Sequence, residues 1–391
     1  MAYKLKSRRD VTRHPVLKAS ITRGDFERTL WLINGQNAEY VLLPRFGGSP
    51  IAIESDDLTV ERLSPGQSLY QRLRSAMTFR RKKFLDYGAF RLLFDGPKTT
   101  RILLVRTNRL LTRLQTRPDS LAIRRYPALL IGWGGAGAPL PACAARQKPA
   151  LRIAIVVHFF YPETWPELAE VLRHLPYDYD LFVTTVPERA DMAAGIRDAF
   201  PSAQVRIVEN RGRDVRPFLL LLEEGALAPY DIVCKIHGKR SIANDPSGNI
   251  GDIFRRRALF DMLVAPGRMQ RIIDRFRADP ALGMLGSRKF HLNSPRDRNI
   301  FWRVNFADMS RLIGELGGDT ALIAPDFFEG TMFWARPAAL EALARLKTSE
   351  GFAAERGASD GALEHTIERI FAVAAKLSSY HIDDIDGLSG G

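Results

Sequence analysis

The chain has 391 residues and a mass of 43.9 kDa, with 46% hydrophobic and 26% charged residues. That balance excludes a disordered, collagenous or coiled-coil protein and predicts two to three domains. The net charge of +13 is unevenly spread: residues 1–150 hold 27 basic and 11 acidic side chains, the rest 30 and 33. Two cysteines, Cys143 and Cys234, are too few for a disulfide framework or a Cys-rich zinc site, and they suit a reducing cytosol. Met1 to Asp10 is basic but no apolar run follows, so no secretory signal is expected; no membrane-spanning stretch is expected either.

The N-terminal region predicts short strands over Thr29–Ile33, Tyr40–Leu43 and Pro50–Ile53. A basic helical stretch is predicted from Leu69 to Phe94, mixing Leu, Met and Phe with the run Arg80, Arg81, Lys82, Lys83. Apolar rings beside cations is the composition of an interfacial helix. Residues 70–125 carry 15 basic and 3 acidic side chains, which suits either a polyanion or a solvated face. Of the polyanions, an anionic membrane surface fits best. No recognition helix, zinc finger or single-strand-binding signature accompanies the stretch, so no nucleic acid partner is expected. Residues 126–145 are uncharged and rich in Gly and Pro, which break helices. The expected organisation is a smaller basic α+β domain over 1–125, a linker over 126–149, and an α/β domain over 150–391.

From residue 151 strands and helices alternate. Strands are predicted at Ile153–Phe159, Leu181–Thr185, Gln204–Val208 and Tyr230–Ile236, with helices at Trp165–Leu175, Met192–Phe200 and from Pro217 to Glu224. This β-α-β order predicts a parallel sheet with helices on both faces. Ligands of such sheets bind beyond the carboxyl ends of the strands, so those ends hold the candidates.

After the third strand comes Asn210-Arg211-Gly212-Arg213-Asp214. A glycine between arginines ahead of a helix suits an anion, and Asp214 equally suits a helix cap. After the fourth strand, Lys235, His237 and Lys239 are placed on one face, where they repel one another unless an anion lies between them. The alternative is a solvent-facing sheet edge. His158 ends the first strand, as a site member or a hydrogen-bonded core residue. The segment from Ala324 to Pro337 mixes Asp326, Glu329, Thr331 and Trp334 with phenylalanines. It suits a sugar site, with rings for the pyranose face and carboxylates for hydroxyls, or simply a buried aromatic strand. His365, Glu368 and Arg369 lie on a helix with Glu364, as a base and its neighbours or as a charge patch.

Several of these motifs, in order, resemble the rhamnan synthesis F family of bacterial polysaccharide-assembly glycosyltransferases. They are Val157-His158-Phe159-Phe160-Tyr161 with Trp165, Asp180 to Thr185, Asn210 to Asp214 with Pro217-Phe218, and Tyr230-Asp231 with Lys235-Ile236-His237. Leu282 to Gly286, Gly330 to Trp334 and His365 to Arg369 continue the likeness, which covers about 152–375. Gly238 departs from an expected threonine and Phe254 from an expected tryptophan.

The resemblance implies a glycosyltransferase-A-like domain moving a deoxyhexose, rhamnose above all, from a nucleotide diphosphate sugar to a lipid-linked glycan. It implies a cytoplasmic enzyme peripheral on the bacterial inner membrane. The usual Asp-x-Asp metal site is replaced by Lys235 to Lys239, so no cofactor or divalent metal is expected. Cations are expected to neutralise the leaving diphosphate instead. Glu329, Asp326, Glu368 and Asp214 are the candidate bases. His158, Asn210, Arg211, Arg213, Lys235, His237, Lys239, Thr331, Trp334, His365 and Arg369 are the candidate substrate contacts. A non-catalytic glycan- or polyanion-binding module is the second reading.

Overall fold

A computed structural model of the chain describes residues 2–8, 16–23, 26–33, 39–42, 51–56, 58–78, 84–86, 91–94, 140, 142–239, 249–295, 301–354 and 361–385. The chain divides into two compact units: Met1–Pro139 with Arg240–Arg256, and Leu140–Lys239 with Arg257–Gly391.

The first unit is built on antiparallel sheets. Strands β1 (Ala2–Ser7), β4 (Glu39–Leu42), β6 (Leu58–Arg62), β7 (Phe84–Asp86) and β8 (Arg91–Phe94) form one sheet in the order β6-β1-β4-β8-β7. Strands β2 (Val16–Arg23), β3 (Phe26–Ile33) and β5 (Ile51–Glu54) form a second, in the order β3-β2-β5. Helix α1 runs from Pro65 to Thr78. The helix expected over Leu69–Phe94 therefore ends at Thr78, and Phe84–Asp86 and Arg91–Phe94 are strands. Leu92 and Leu93 are adjacent in β8 and so point to opposite faces of the sheet, and both are wholly buried. The run Arg80–Lys83 and most of the expected linker lie outside the described residues.

The second unit follows the expected alternation. Its strands are β9 (Ile153–His158), β10 (Asp180–Thr185), β11 (Gln204–Ile207), β12 (Ile232–His237), β13 (Leu282–Ser287), β14 (His291–Leu292), β15 (Phe327–Phe328), β16 (Phe333–Ala335) and β17 (His381–Ile385). Seven of them form one sheet in the order β11-β10-β9-β12-β16-β13-β17. β16 alone runs antiparallel to its neighbours; the other contacts in the sheet are parallel. β14 and β15 pair with each other antiparallel as a separate two-stranded sheet, with helical chain between them in sequence. The aromatic segment expected as one strand is thus two, split by the turn Glu329–Met332.

Helices α2 (Trp165–His174), α3 (Met192–Ala199) and α4 (Val215–Glu223) connect the parallel strands. Beyond β12 comes α5 (Asn249–Leu259), whose residues up to Arg256 belong to the first unit, followed by α6 (Arg268–Ala278), α7 (Phe306–Glu315), α8 (Glu341–Arg345) and α9 (Leu363–Leu377) of the second. Strands β9 and β12 are buried along their whole length, which is why they read as unbroken apolar runs. On one face Ala154, Val156, Phe182, Val233 and Phe333 share a core with Phe218 of α4 and Phe371 of α9. Phe218, Phe333 and Phe371 meet with centroids 5.2 to 5.9 Å apart. This apolar layer fixes α4 and α9 over the sheet and so positions the groups at its carboxyl edge. No helix among the described residues is long and apolar enough to cross a membrane.

Candidate functional site

At the carboxyl edge the α4–α9 face turns from apolar to polar. The register aligns Thr184 with His158 and His158 with His237, a polar row across β10, β9 and β12. One step inward on the same face lies Lys235, only 1% exposed. Its ammonium donates to the Asp214 carboxylate, to the Thr331 carbonyl at 2.9 Å and to Thr331 Oγ1 at 3.0 Å. Phe218 and Phe333 enclose it, with ring centroids 5.8 and 5.9 Å away. All three ammonium donors are engaged within the protein. Lys235 therefore positions its neighbours and does not reach a substrate, a correction to its expected role.

The sequence reading required an anion between the cations of β12. The chain supplies that anion itself. Asp214 lies beside Lys235 and His237, with Oδ1 3.8 Å from His237 Nδ1, and it also accepts a hydrogen bond from Thr331. It occupies the N-cap position of α4, but its side chain makes no capping bond. The cap alternative is thus resolved in favour of the buried pair. Burial works to raise the Asp214 carboxyl. The His237 and Lys235 side chains and the hydrogen bonds from Lys235 and Thr331 outweigh it and hold the pKa well below the carboxylate range. Burial pulls Lys235 down, against the raising effect of Asp214.

Both histidines of the row are uncharged at neutral pH. Burial lowers His237 to about 3 and His158 to about 4, despite the opposing charge of Asp214. His237 Nε2 lies 2.7 Å from the Gly330 carbonyl, and His158 Nδ1 lies 3.0 Å from Thr184 Oγ1. His237 is accordingly not the cation expected from its position. Lys239 is not on the strand face either: β12 ends at His237, and the Lys239 amide turns back to the His237 carbonyl at 2.9 Å. Its half-buried side chain is electrostatically coupled to Glu368, Lys235 and His237.

The opposite wall is the turn before β16. Gly330 and Thr331 both adopt left-handed backbone, with φ of 83° and 51°. Such a conformation in a threonine is strained, and here three groups secure it. Lys235 holds its carbonyl and hydroxyl, Asp214 accepts from that hydroxyl, and Glu368 Oε1 accepts from the Gly330 amide at 2.6 Å. Glu368 projects from α9 and is largely buried. Burial raises its pKa, against the lowering effects of Arg369, Lys239 and the Gly330 amide.

The 210–216 segment makes the rim. Gly212 and Arg213 are also left-handed, with φ of 60° and 53°. A side chain at 212 would run into the Phe352 ring. Arg213 is exposed, 3.7 Å from Glu364 and 3.3 Å from His365 Nε2. Arg211 is exposed and pairs with Glu209 at 3.2 Å, and Asn210 is half-buried beside it. Arg369 is buried and lies 3.7 Å from Glu368.

The remaining candidates lie apart from this network. Trp334 is wholly buried in β16 and donates to the Met262 carbonyl at 3.2 Å, so it packs the core and offers no ring to a sugar. Asp326 is bound to His291 Nε2 at 2.6 Å and to Lys376. Glu329 is exposed, its amide paired with the Phe290 carbonyl at 2.8 Å. Sequence reasoning missed Thr184 and Gly330. The polar pair Thr184-Thr185 closing an apolar strand was the available signal for the first; the second opens the Gly330 to Trp334 stretch of the family likeness. Gly238, where a threonine was expected, faces Thr164. A Cβ there would overlap Thr164 Oγ1 in this chain. Among the described residues no three His, Cys, Asp or Glu side chains form a group fit to hold a metal ion.

A mostly parallel α/β sheet with a polar carboxyl edge defines the class of the second unit. Residues 141–380 match the family of rhamnan synthesis protein F, and the chain belongs to that family. Over 247 residues it is 30% identical to proteins from two strains of Xanthomonas campestris pv. campestris, each described as uncharacterized protein WxcX. The alignment covers 60% of this chain and 33% of those relatives, so the chain spans about a third of their length.

Proposed function

We propose that the second unit is a glycosyltransferase of glycosyltransferase-A-like architecture. It moves a deoxyhexose, rhamnose in the first instance, from a nucleoside diphosphate to a hydroxyl of a lipid-linked glycan during bacterial cell-surface polysaccharide assembly. The observation that carries this reading is the carboxyl-edge network. The internally satisfied Lys235–Asp214–Thr331 core lies at the sheet edge, Glu368 binds the Gly330 amide next to it, the charge of Lys239 acts on Glu368, and Arg213 precedes Asp214 in the chain.

In the proposed reaction an acceptor hydroxyl oxygen bonds to the anomeric carbon of the donor. The bond from that carbon to the diphosphate oxygen breaks, and its electron pair leaves with the diphosphate. Glu368 takes the hydroxyl proton. It suits the task better than the other three carboxylates: Asp214 is held ionised by its partners, Asp326 is tied to His291 and Lys376, and Glu329 is open to solvent. Lys239 and Arg213 stabilise the leaving diphosphate, while the neutral His237 contributes hydrogen bonding and shape. A divalent metal has no part in this scheme, because the strand end that would present carboxylates presents Lys235, His237 and Lys239.

The test is product analysis with a panel of nucleoside diphosphate sugars and a lipid-linked acceptor, with and without excess chelator. Transfer is expected in both conditions. Glu368→Gln, Lys239→Ala and Arg213→Ala should remain folded and lose turnover by roughly a hundredfold or more. Wild-type rates in folded Glu368→Gln would remove it as the base, and a strict need for magnesium or manganese would refute the metal-free scheme. Glycan binding without nucleotide binding or transfer would favour the non-catalytic module.

A further inference from the structure

The described side chains of helix α1, up to Leu73, are arranged inside out. Its start is well made: the Gln67 amide donates to Ser64 Oγ at 3.3 Å, and Gln67 Oε1 accepts from the Ser64 amide at 3.0 Å, a reciprocal capping box. A surface helix normally buries its apolar stripe and shows its polar one. Here, among the described side chains of the helix, Ser68 and Gln71 are the buried ones, 7% and 6% exposed, and Ser68 Oγ reaches the Leu63 carbonyl at 3.4 Å. Leu69, Tyr70 and Leu73 face outward, 49%, 63% and 55% exposed. Their i, i+1, i+4 spacing gathers them on one side of the helix. Each such side chain gains roughly 1.5–3 kcal/mol when buried, so the exposed group favours a covering surface.

The charge around this stripe identifies the occupant. Between Pro65 and Leu85 the sequence has six basic residues, Arg72, Arg74, Arg80, Arg81, Lys82 and Lys83, and no acidic one. A second copy presenting the same face would bring like charges together, which disfavours a symmetric pairing of this helix. We propose that α1 is the docking element of the first unit, lying flat on an anionic phospholipid surface. Leu69, Tyr70 and Leu73 enter the headgroup boundary, and the positive charge that the sequence gives this stretch attracts the anionic surface. Tyrosine suits this depth, with its ring in the apolar layer and its hydroxyl in water. The inference rests on the first unit alone and stands or falls separately from the transferase reading.

The experiment is co-sedimentation of the full chain with vesicles of phosphatidylcholine, with or without phosphatidylglycerol. Binding should require phosphatidylglycerol and weaken as salt rises. The triple variant Leu69→Ser, Tyr70→Ser, Leu73→Ser should bind roughly tenfold or more weakly at an unchanged unfolding midpoint, because the three side chains are solvent-facing. As an independent readout, tryptophan fluorescence of Leu69→Trp should shift to the blue with anionic vesicles and be quenched by brominated lipid, relative to the parent chain. Wild-type protein left in the supernatant with phosphatidylglycerol vesicles at low salt would overturn the proposal. So would wild-type binding by the triple variant. A protein dimer that the triple variant dissolves, without vesicle binding, would assign the face to a second copy instead.

Discussion

The buried pair of Lys235 and Asp214 is the residue on which the site turns. A paired charge in the interior adds little net stability, but removing one partner strands the other. Lys235→Met should therefore lose about 3–5 kcal/mol in urea unfolding, and Asp214→Asn added to it should restore most of that. An unrestored double variant would show that the lysine contributes packing alone. The two buried neutral histidines have a separate signature. Their folded pKa values, about 4 for His158 and about 3 for His237, lie below the ordinary value. The unfolded chain therefore binds more protons as pH falls below about 6.5, and stability is lost on that side with a slope near 2.7 kcal/mol per pH unit down to about pH 4. The depressed Asp214 carboxyl adds loss in the same direction at lower pH. Urea midpoints against pH check this, and His158→Gln or His237→Gln should each halve the slope. Lys235, His237 and Asp214 were visible in the sequence as polar residues at strand ends. Their mutual pairing was not, because it joins positions 21 or more residues apart through a fold no local pattern specifies.

At the scale of elements, the apolar runs of β9, β10 and β12 were legible because buried parallel strands demand them. The strands of the first unit were only partly legible, and the helix expected over 69–94 absorbed two of them. Cations and aromatics alternate there in a pattern that fits both periods. β17 illustrates an element held by side chains at the end of a sheet. His291 Nδ1 lies 3.3 Å from Asp384 and its Nε2 lies 2.6 Å from Asp326, while Arg275 pairs with Asp383 and donates to the Asp384 carbonyl at 2.9 Å. Burial lowers the His291 pKa, but the two carboxylates raise it further, and the net shift is upward. A raised histidine contributes stability below its unfolded value and loses it as pH rises through the folded one. Hydrogen-exchange protection of β17, corrected for the intrinsic rate, should fall as pH rises past neutrality. His291→Gln should lower protection at about pH 6 and remove the step. Unchanged wild-type protection on the alkaline side would show that Arg275 anchors the strand alone.

At the scale of the molecule, the charge imbalance read from composition marks the first unit, and the alternating pattern marks the second. Each unit has its own sheets and core, so calorimetry should resolve two transitions. On the transferase reading, a nucleoside diphosphate should raise only the one belonging to the second unit. A single transition that shifts as a whole would show the two to be energetically joined. The path of the chain carries a further consequence. It leaves the first unit at Pro139, returns for Arg240–Arg256, and leaves again. During synthesis the ribosome therefore releases β9 to β12 before the segment that completes the first unit, and the second unit can finish only after that segment has emerged. No single cut in the gene separates the units. A clone beginning at Leu140 would carry Arg240–Arg256 without the rest of the unit to which they belong.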